Sequence, residues 1–294
     1  MKTIQINKYP ISYIEEGKGS PVILIHGSIS DYRIWENQME PFAKHFHVIA
    51  YSRRYHYPYS SSEFGSDYEI SQHSKDLASF IKALDVGAVN IVGSSYGAYT
   101  GLVTALKEPD LVKALVLGEP PVIPLIISDL NNPVHFLKLL FRDFSTGISF
   151  LKFGISTMAP AKKQLEKGNL KKGARLFTDG VLGKGGFDQL PDEAKECIMD
   201  NITALKAELN GPGFPEEFPQ KEARELSIPT LLLYAGKSPD FFHAISDRLS
   251  ELLPNARKLF ISNASHDMHA ENPKAYNEKV LEFLFMHNYS TTTP

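Results

Sequence analysis

The sequence predicts an α/β fold: a mostly parallel central sheet with helices on both faces and an inserted helical cap. Three observations predict it. Short apolar runs alternate with longer segments of helical period from residue 20 onward. The runs are short and mostly apolar, as strands covered on both faces are. The alternation then lapses over one long internal stretch.

The strand candidates come in order. Thr3–Ile6 and Ile11–Glu16 lie close enough for an antiparallel edge hairpin. Next are Pro21–Ile25, which ends in His26-Gly27, then His47–Tyr51, Val89–Val92 and Val112–Leu117. Thr230–Tyr234 and Lys258–Ile261 follow near the end. Between them Ile70, Leu77, Ile81 and Leu84 recur near multiples of 3.6, as do Ala98, Leu102, Ala105 and Leu106. Tyr276, Val280, Phe283 and Leu284 stripe the last helix. Such alternation with short connections means right-handed crossovers and an open sheet. The expected division is core over 1–120, helical cap over 121–222 and core again over 223–294.

Composition narrows the function classes. The 294 residues are 43% hydrophobic and 22% charged, which supports a packed core. A net charge of −3 argues against a nucleic-acid binder, which needs concentrated positive charge. One cysteine, Cys197, allows neither an internal disulfide nor a CxxC motif. No run approaches the roughly 18 apolar residues of a membrane span. Met1–Glu16 is alternating and charged, unlike a secretory signal, so a cytoplasmic protein is the expectation.

Gly93-Ser94-Ser95-Tyr96-Gly97 directly follows an apolar run and precedes a helical pattern. A serine at the tip of so sharp a turn takes strained dihedrals, and the residues two before and two after it crowd together. Only Ser95 has glycine at both offsets; the bland alternative is a glycine-rich turn with a bystander serine. His26-Gly27-Ser28 ends an earlier strand, where backbone N–H groups of Ser28 and Tyr96 form a candidate oxyanion hole. His26 reads as a brace for that loop. His266, in Ala264-Ser265-His266-Asp267, is the candidate base; His269 is its competitor, and Asp267 reads as solvent-facing.

Together these motifs resemble the α/β-hydrolase family, on His26-Gly27, the Gly93–Gly97 elbow, and the Ala264–His266 loop with Glu271-Asn272-Pro273. The resemblance covers nearly the whole chain and implies a Ser-acid-His order with Ser95 as nucleophile. Relatives with an aspartate nucleophile, such as haloalkane dehalogenases and epoxide hydrolases, are disfavoured. The acid departs from the pattern. Its usual place after Thr230–Tyr234 is Ser238, which carries no charge, and Asp240 stands two residues late. A second placement known in this fold, found in some esterases and in fungal lactonases that open zearalenone, points to Glu119 in Gly118-Glu119-Pro120-Pro121. There Pro120 biases Glu119 toward extended backbone. Glu119 is the expected acid and Asp240 the alternative.

Where relatives have a glycine-rich turn, this chain has Arg53-Arg54-Tyr55-His56-Tyr57. Arg53 is a candidate substrate contact, with a structural tie as the alternative. Phe136, Leu140, Phe141, Phe150, Phe153 and Met158 suggest an apolar lid, with Phe141 and Phe150 as candidate substrate contacts. The expected activity is hydrolysis of a hydrophobic ester or lactone through an acyl-enzyme, with no metal or organic cofactor and no nucleic-acid or membrane partner. A lyase or cofactor-free oxygenase on the same fold is one alternative. A ligand receptor that retains the triad is the other.

Overall fold

The structure is a computed structural model that describes residues 1–60, 67–129, 132–211 and 217–288. Eight strands form one sheet: β1 Lys2–Ile6, β2 Tyr9–Glu16, β3 Pro21–Ile25, β4 His47–Tyr51, β5 Val89–Ser94, β6 Val112–Gly118, β7 Thr230–Ala235 and β8 Ala256–Ile261. Their spatial order is β1-β2-β4-β3-β5-β6-β7-β8. β2 runs antiparallel to β1 and β4, and every other pairing is parallel.

The apolar runs explain this burial. Ile23, Ile25, Ile91, Leu115, Leu117 and Leu232 enter one core cluster. The alternate positions Val22, Leu24, Val92, Val116, Leu231 and Leu233 enter the other. Successive strand side chains point to opposite faces, so both faces must be covered. On one face α1 (Glu36–Ala43) packs through Met39 and Phe42. α2 (Ile70–Leu84) and α3 (Tyr96–Lys107) pack on the opposite face through Leu77 and Leu102.

Between β6 and β7 the described residues hold helices and no strand: α4 Pro133–Arg142, α5 Phe144–Phe153, α6 Ala159–Glu166, α7 Leu170–Leu182, α8 Gly186–Gln189, α9 Asp192–Asp200, α10 Ile202–Asn210 and α11 Gln220–Glu225. Residues 130–131 and 212–216 of the expected cap lie outside the described residues. A π-helical turn, Gly154–Met158, joins α5 to α6. Leu165, Phe177, Phe187, Ile198 and Leu205 form a small core of their own, which Ile29 joins from the loop after β3. α12 (Asp240–Leu252), α13 (Met268–Glu271) and α14 (Pro273–Asn288) complete the chain, with α12 on the α2–α3 face and α14 on that of α1. Among the described residues no helix is long and apolar enough to cross a membrane.

The chain leaves β3 for β4 on one side and returns to β5 on the other. That reversal opens a crevice at the carboxyl ends of β3 and β5, where open α/β sheets place their ligands. The His26–Ser28 loop leaves one of these strands and Ser95 leaves the other.

Candidate active site

Ser95 sits between β5 and α3 with φ 52° and ψ −121°, in backbone space that L side chains rarely adopt. The two flanking glycines are required for different reasons. A Cβ on Gly93 would lie 2.5 Å from Ala98 Cα and 2.8 Å from the Gly97 carbonyl carbon. A Cβ on Gly97 would lie 2.4 Å from both the Ile25 and His26 oxygens. Crowding within the turn therefore accounts for the first glycine, and the neighbouring strand β3 for the second.

His266 follows β8, and its Nδ1 lies 2.7 Å from Glu119 Oε2. Glu119 is fully buried at the end of β6, and its Oε1 accepts the Ala235 N–H at 3.0 Å. Phe242 of α12 stacks on the imidazole with ring centroids 4.4 Å apart. Glu271 accepts the Ser265 N–H at 2.8 Å and also bonds the Ser265 hydroxyl, which folds the loop that presents His266. Asp240 is elsewhere: it is exposed and accepts from Ser145 Oγ at 2.9 Å. Ser238 is buried, and its hydroxyl has no hydrogen-bond partner. The backbone argument for Glu119 needs correction, because its φ is 44°, left-handed and not extended. Its amide donates to Leu233 O at 3.2 Å, so pairing with β7 outweighs the bias of the following proline.

Ser95 and His266 line one cavity of about 120 Å³, together with Gly27, Ser28 and Asp267. Ser95 Oγ makes no hydrogen bond to His266 here; catalytic contacts of this kind commonly tighten only around substrate. Gly27 sits beside the serine, where an added Cβ would be 3.4 Å from Ser95 Cβ. Tyr96 opens α3, which puts its amide at the helix start. Asp267 leaves His266 to Glu119 and lies 3.4 Å from Nε2 of the buried His269. Cys197 also lines the cavity, but burial and the Asp31 carboxylate push its thiol far above the ordinary value, so it stays protonated. Among the described residues no three His, Cys, Asp or Glu side chains gather as metal ligands.

A family described as "alpha/beta hydrolase fold" matches residues 20–147. The 2-(acetamidomethylene)succinate hydrolase of Mesorhizobium japonicum is 30% identical over 285 residues, which are 96% of this chain and 94% of that protein. The chain belongs to the α/β-hydrolase family. The 2-hydroxy-6-oxo-6-(2'-aminophenyl)hexa-2,4-dienoic acid hydrolase of Metapseudomonas resinovorans is 26% identical over 277 residues, covering 92% of this chain and 86% of that one. A malate-bound thermophilic esterase from Thermogutta terrifontis shares the fold with a TM-score of 0.74, at 18% identity and 98% coverage of each chain.

In this α/β hydrolase the expected substrate contacts do not line the Ser95 cavity. Phe141 is 90% exposed on the outside of α4. Phe150 packs edge-on against Phe241, 5.5 Å between centroids. Both are expected in an apolar lid over the serine, but α4 and α5 cover α12 and the main core. Arg53 is buried behind the loop after β3. Its Nη2 donates to Gly27 O at 2.7 Å, its Nε to His26 O at 3.3 Å, and its amide to His26 Nε2 at 2.9 Å. Arg54 forks onto Asp76 at 2.6 and 2.9 Å. The structural reading of both arginines therefore describes their contacts. His26 braces the loop through Nδ1, 2.8 Å from Gly27 O.

The cavity walls come instead from α7, with Phe177, Val181 and Leu182, and from Leu190, Ala194 and Ile198 in and before α9. Their spacing carried a readable signal, since 177/181 and 190/194/198 recur every four residues. Phe242 and Ala235 had no such signal, because their contacts form only across the folded sheet.

Proposed function

We propose that this hydrolase cleaves an uncharged, largely apolar carboxylic ester or lactone through a Ser95 acyl-enzyme. The observation that carries the reading is the Glu119–His266 contact at the wall of an apolar cavity that also holds Ser95 on its strained turn. Among the described residues the lining around Ser95 contains neither lysine nor arginine. An anionic substrate would find no cation there to offset its desolvation.

Glu119 accepts from His266 Nδ1–H, which leaves Nε2 free to take the Ser95 proton as Oγ attacks the carbonyl carbon. Backbone N–H groups of Ser28 and Tyr96 receive the oxyanion. The carbon–oxygen bond to the leaving group breaks as His266 returns the proton to the departing alkoxide oxygen. Water, deprotonated by His266, then attacks the acyl carbon; the proton passes back to Ser95 and the acid leaves.

A fluorophosphonate probe and a panel of short esters test this reading. Labelling of the wild type that vanishes in Ser95→Ala, with ester turnover lost in the same variant, is the expected result. Undiminished labelling of Ser95→Ala, or a wild type inert toward both probe and panel, would overturn it.

One observation favours a second reading, an acid-bearing substrate. A depression of about 500 Å³ on the far side of Val181 is lined by Lys152, Lys184 and Lys237, and two relatives are named for acids. Turnover of carboxylate-bearing substrates in preference to neutral esters, reduced by Lys237→Ala, would support that reading over the first.

A further inference from the structure

The Gly27–Ser28 peptide is anchored by its oxygen. Arg53 Nη2 and His26 Nδ1 lie 2.7 and 2.8 Å from Gly27 O. Because His26 Nε2 accepts the Arg53 amide, its proton resides on Nδ1 and points at that oxygen. A trans peptide directs C=O and N–H oppositely, so the Ser28 N–H turns away from Arg53. The serine's side chain is gripped from elsewhere. Ser28 Oγ donates to Glu208 Oε1 at 2.8 Å, and Glu208 belongs to α10 of the insertion, 180 residues along the chain.

A proton count around Glu208 is informative. His56 Nδ1 lies 2.7 Å from Ser30 O, which can only accept, so Nδ1 carries the proton and Nε2 is an acceptor. The one hydroxyl proton of Tyr68 is thereby drawn to His56 Nε2, 3.0 Å away. Tyr68 O–H can also donate to Glu208 Oε2, but at 3.4 Å that contact is the longer one, and a proton given to His56 leaves it without one. A carboxylic acid at Glu208 supplies the missing one. Oε2–H meets Tyr68, Tyr68 meets His56, and His56 holds Ser30, while Oε1 still accepts from Ser28.

We propose that Glu208 in its acid form is a positioning residue, the cap-borne clamp that sets the Ser28 amide beside Ser95. Seating the insertion and completing the oxyanion pocket are then one event. The inference rests on the serine-hydrolase reading above.

The junction around Glu208 supports a clamp. Asn201, at the α9–α10 turn, donates to Asp31 at 2.6 Å and accepts the Tyr57 amide at 2.8 Å. Arg33 bridges Asp31 and Asp200 at 2.7 and 2.8 Å. Ser28 after β3, Arg53 after β4, Tyr68 before α2 and Tyr96 on α3 face Glu208, and His56 after β4 and His73 on α2 pack against Tyr68. Arg53 is the one cation among them that is charged throughout; burial keeps His56 and His73 neutral. The carboxyl end of Glu208 lies inside this cluster, while part of the residue reaches solvent. That burial pushes its pKa up to about 7, against the opposing pull of Arg53 and Ser28. Ionisation would set a negative charge beside the developing oxyanion and break the chain to Ser30.

The test is kcat for a short ester, followed by pH-stat from about pH 5.5 to about 9, in wild type, Glu208→Gln, Glu208→Ala and Ser28→Ala. Wild type should show a falling alkaline limb near neutrality. Glutamine accepts from Ser28 and donates to Tyr68 at every pH, so Glu208→Gln should remove that limb. Glu208→Ala should lower kcat about tenfold or more with KM little changed, since a misplaced oxyanion donor acts in the transition state. Glutamine should rescue that loss, and Ser28→Ala should add little to it.

An alkaline limb that persists in Glu208→Gln overturns the clamp, and so does an unchanged kcat in Glu208→Ala. If Glu208→Ala fails to fold, the glutamine profile alone decides. Fluorophosphonate labelling separates the two levels. Absent Ser95 labelling overturns the serine reading and the clamp together; normal labelling with an unaltered Glu208→Gln profile overturns only the clamp.

Discussion

Glu119→Gln removes one charge from a place already ringed by donors. Glu119 Oε1 meets the Ala235 N–H at 3.0 Å and Oε2 meets His266 Nδ1 at 2.7 Å. A glutamine has one oxygen to offer these two. With its oxygen toward Ala235, its NH₂ faces Nδ1 and forces the ring proton onto Nε2, the atom that must receive the Ser95 proton. With the amide flipped, two buried donors collide at Ala235, at a cost of about 1–3 kcal/mol, and the imidazolium still lacks a counter-charge. Either way kcat should fall by a factor on the order of 10⁴, as for a triad carboxylate turned into an amide, about 5 kcal/mol of transition-state stabilisation. Steady-state hydrolysis of p-nitrophenyl butyrate measures it, with Ser95→Ala as the floor and a thermal melt to confirm folding. Asp240→Asn should stay within about threefold of wild type, as an exposed partner of Ser145. The reasoning is refuted if Glu119→Gln keeps more than about a tenth of kcat, or if Asp240→Asn takes the loss instead.

Gly97→Ala should cost about 2–3 kcal/mol in a urea titration, because its Cβ would press on two β3 carbonyl oxygens; a change near zero would contradict the close approach. Ala194→Phe, at the cavity wall, should raise KM for longer acyl chains before short ones, whereas Phe141→Ser on the exposed face of α4 should leave kinetics unaltered. Burial, and next the Arg53 charge, hold His26, His56 and His73 well below the ordinary histidine range, so they are neutral when folded and protonated when unfolded. Stability should therefore be full above about pH 6.5 and drain below it, by up to about 1.4 kcal/mol per histidine per pH unit; denaturant midpoints that do not move between pH 5 and 7 would refute this. Glu208, raised from 4.5 to about 7, works oppositely, stabilising below its unfolded value and losing that contribution as pH rises to about 7. Glu208→Gln should thus gain stability relative to wild type at pH 8 over pH 5, by no more than about 3 kcal/mol.

What the sequence made legible was local. The β-branched runs of the central strands announced themselves because a strand covered on both faces needs few polar positions, whereas the half-exposed β1, β2 and β8 were placed by alternation and spacing. Ser95 and His266 could be singled out as candidates because a turn between strand and helix and a loop after a strand are short-range features. Glu119 was legible mainly by default, through the uncharged Ser238, and the proline argument for its backbone was wrong. The walls of the cavity were misjudged because bulk drew attention to Phe141 and Phe150, whereas the period of Phe177, Val181, Ala194 and Ile198 held the information. Glu208 was invisible. Nothing in a glutamate on an amphipathic helix tells that a serine 180 residues earlier will donate to it.

In the mechanism proposed above, Glu119 at the end of β6 serves as the acid, and the turn after β7 has no duty in proton transfer. In that reading the nucleophile, the carboxylate and both amide donors precede the insertion, and only the imidazole follows it. The side chains of residues 236–240 then carry no step of the reaction and can change to retune admission, whereas Phe242 of α12 stays tied to the imidazole it stacks on.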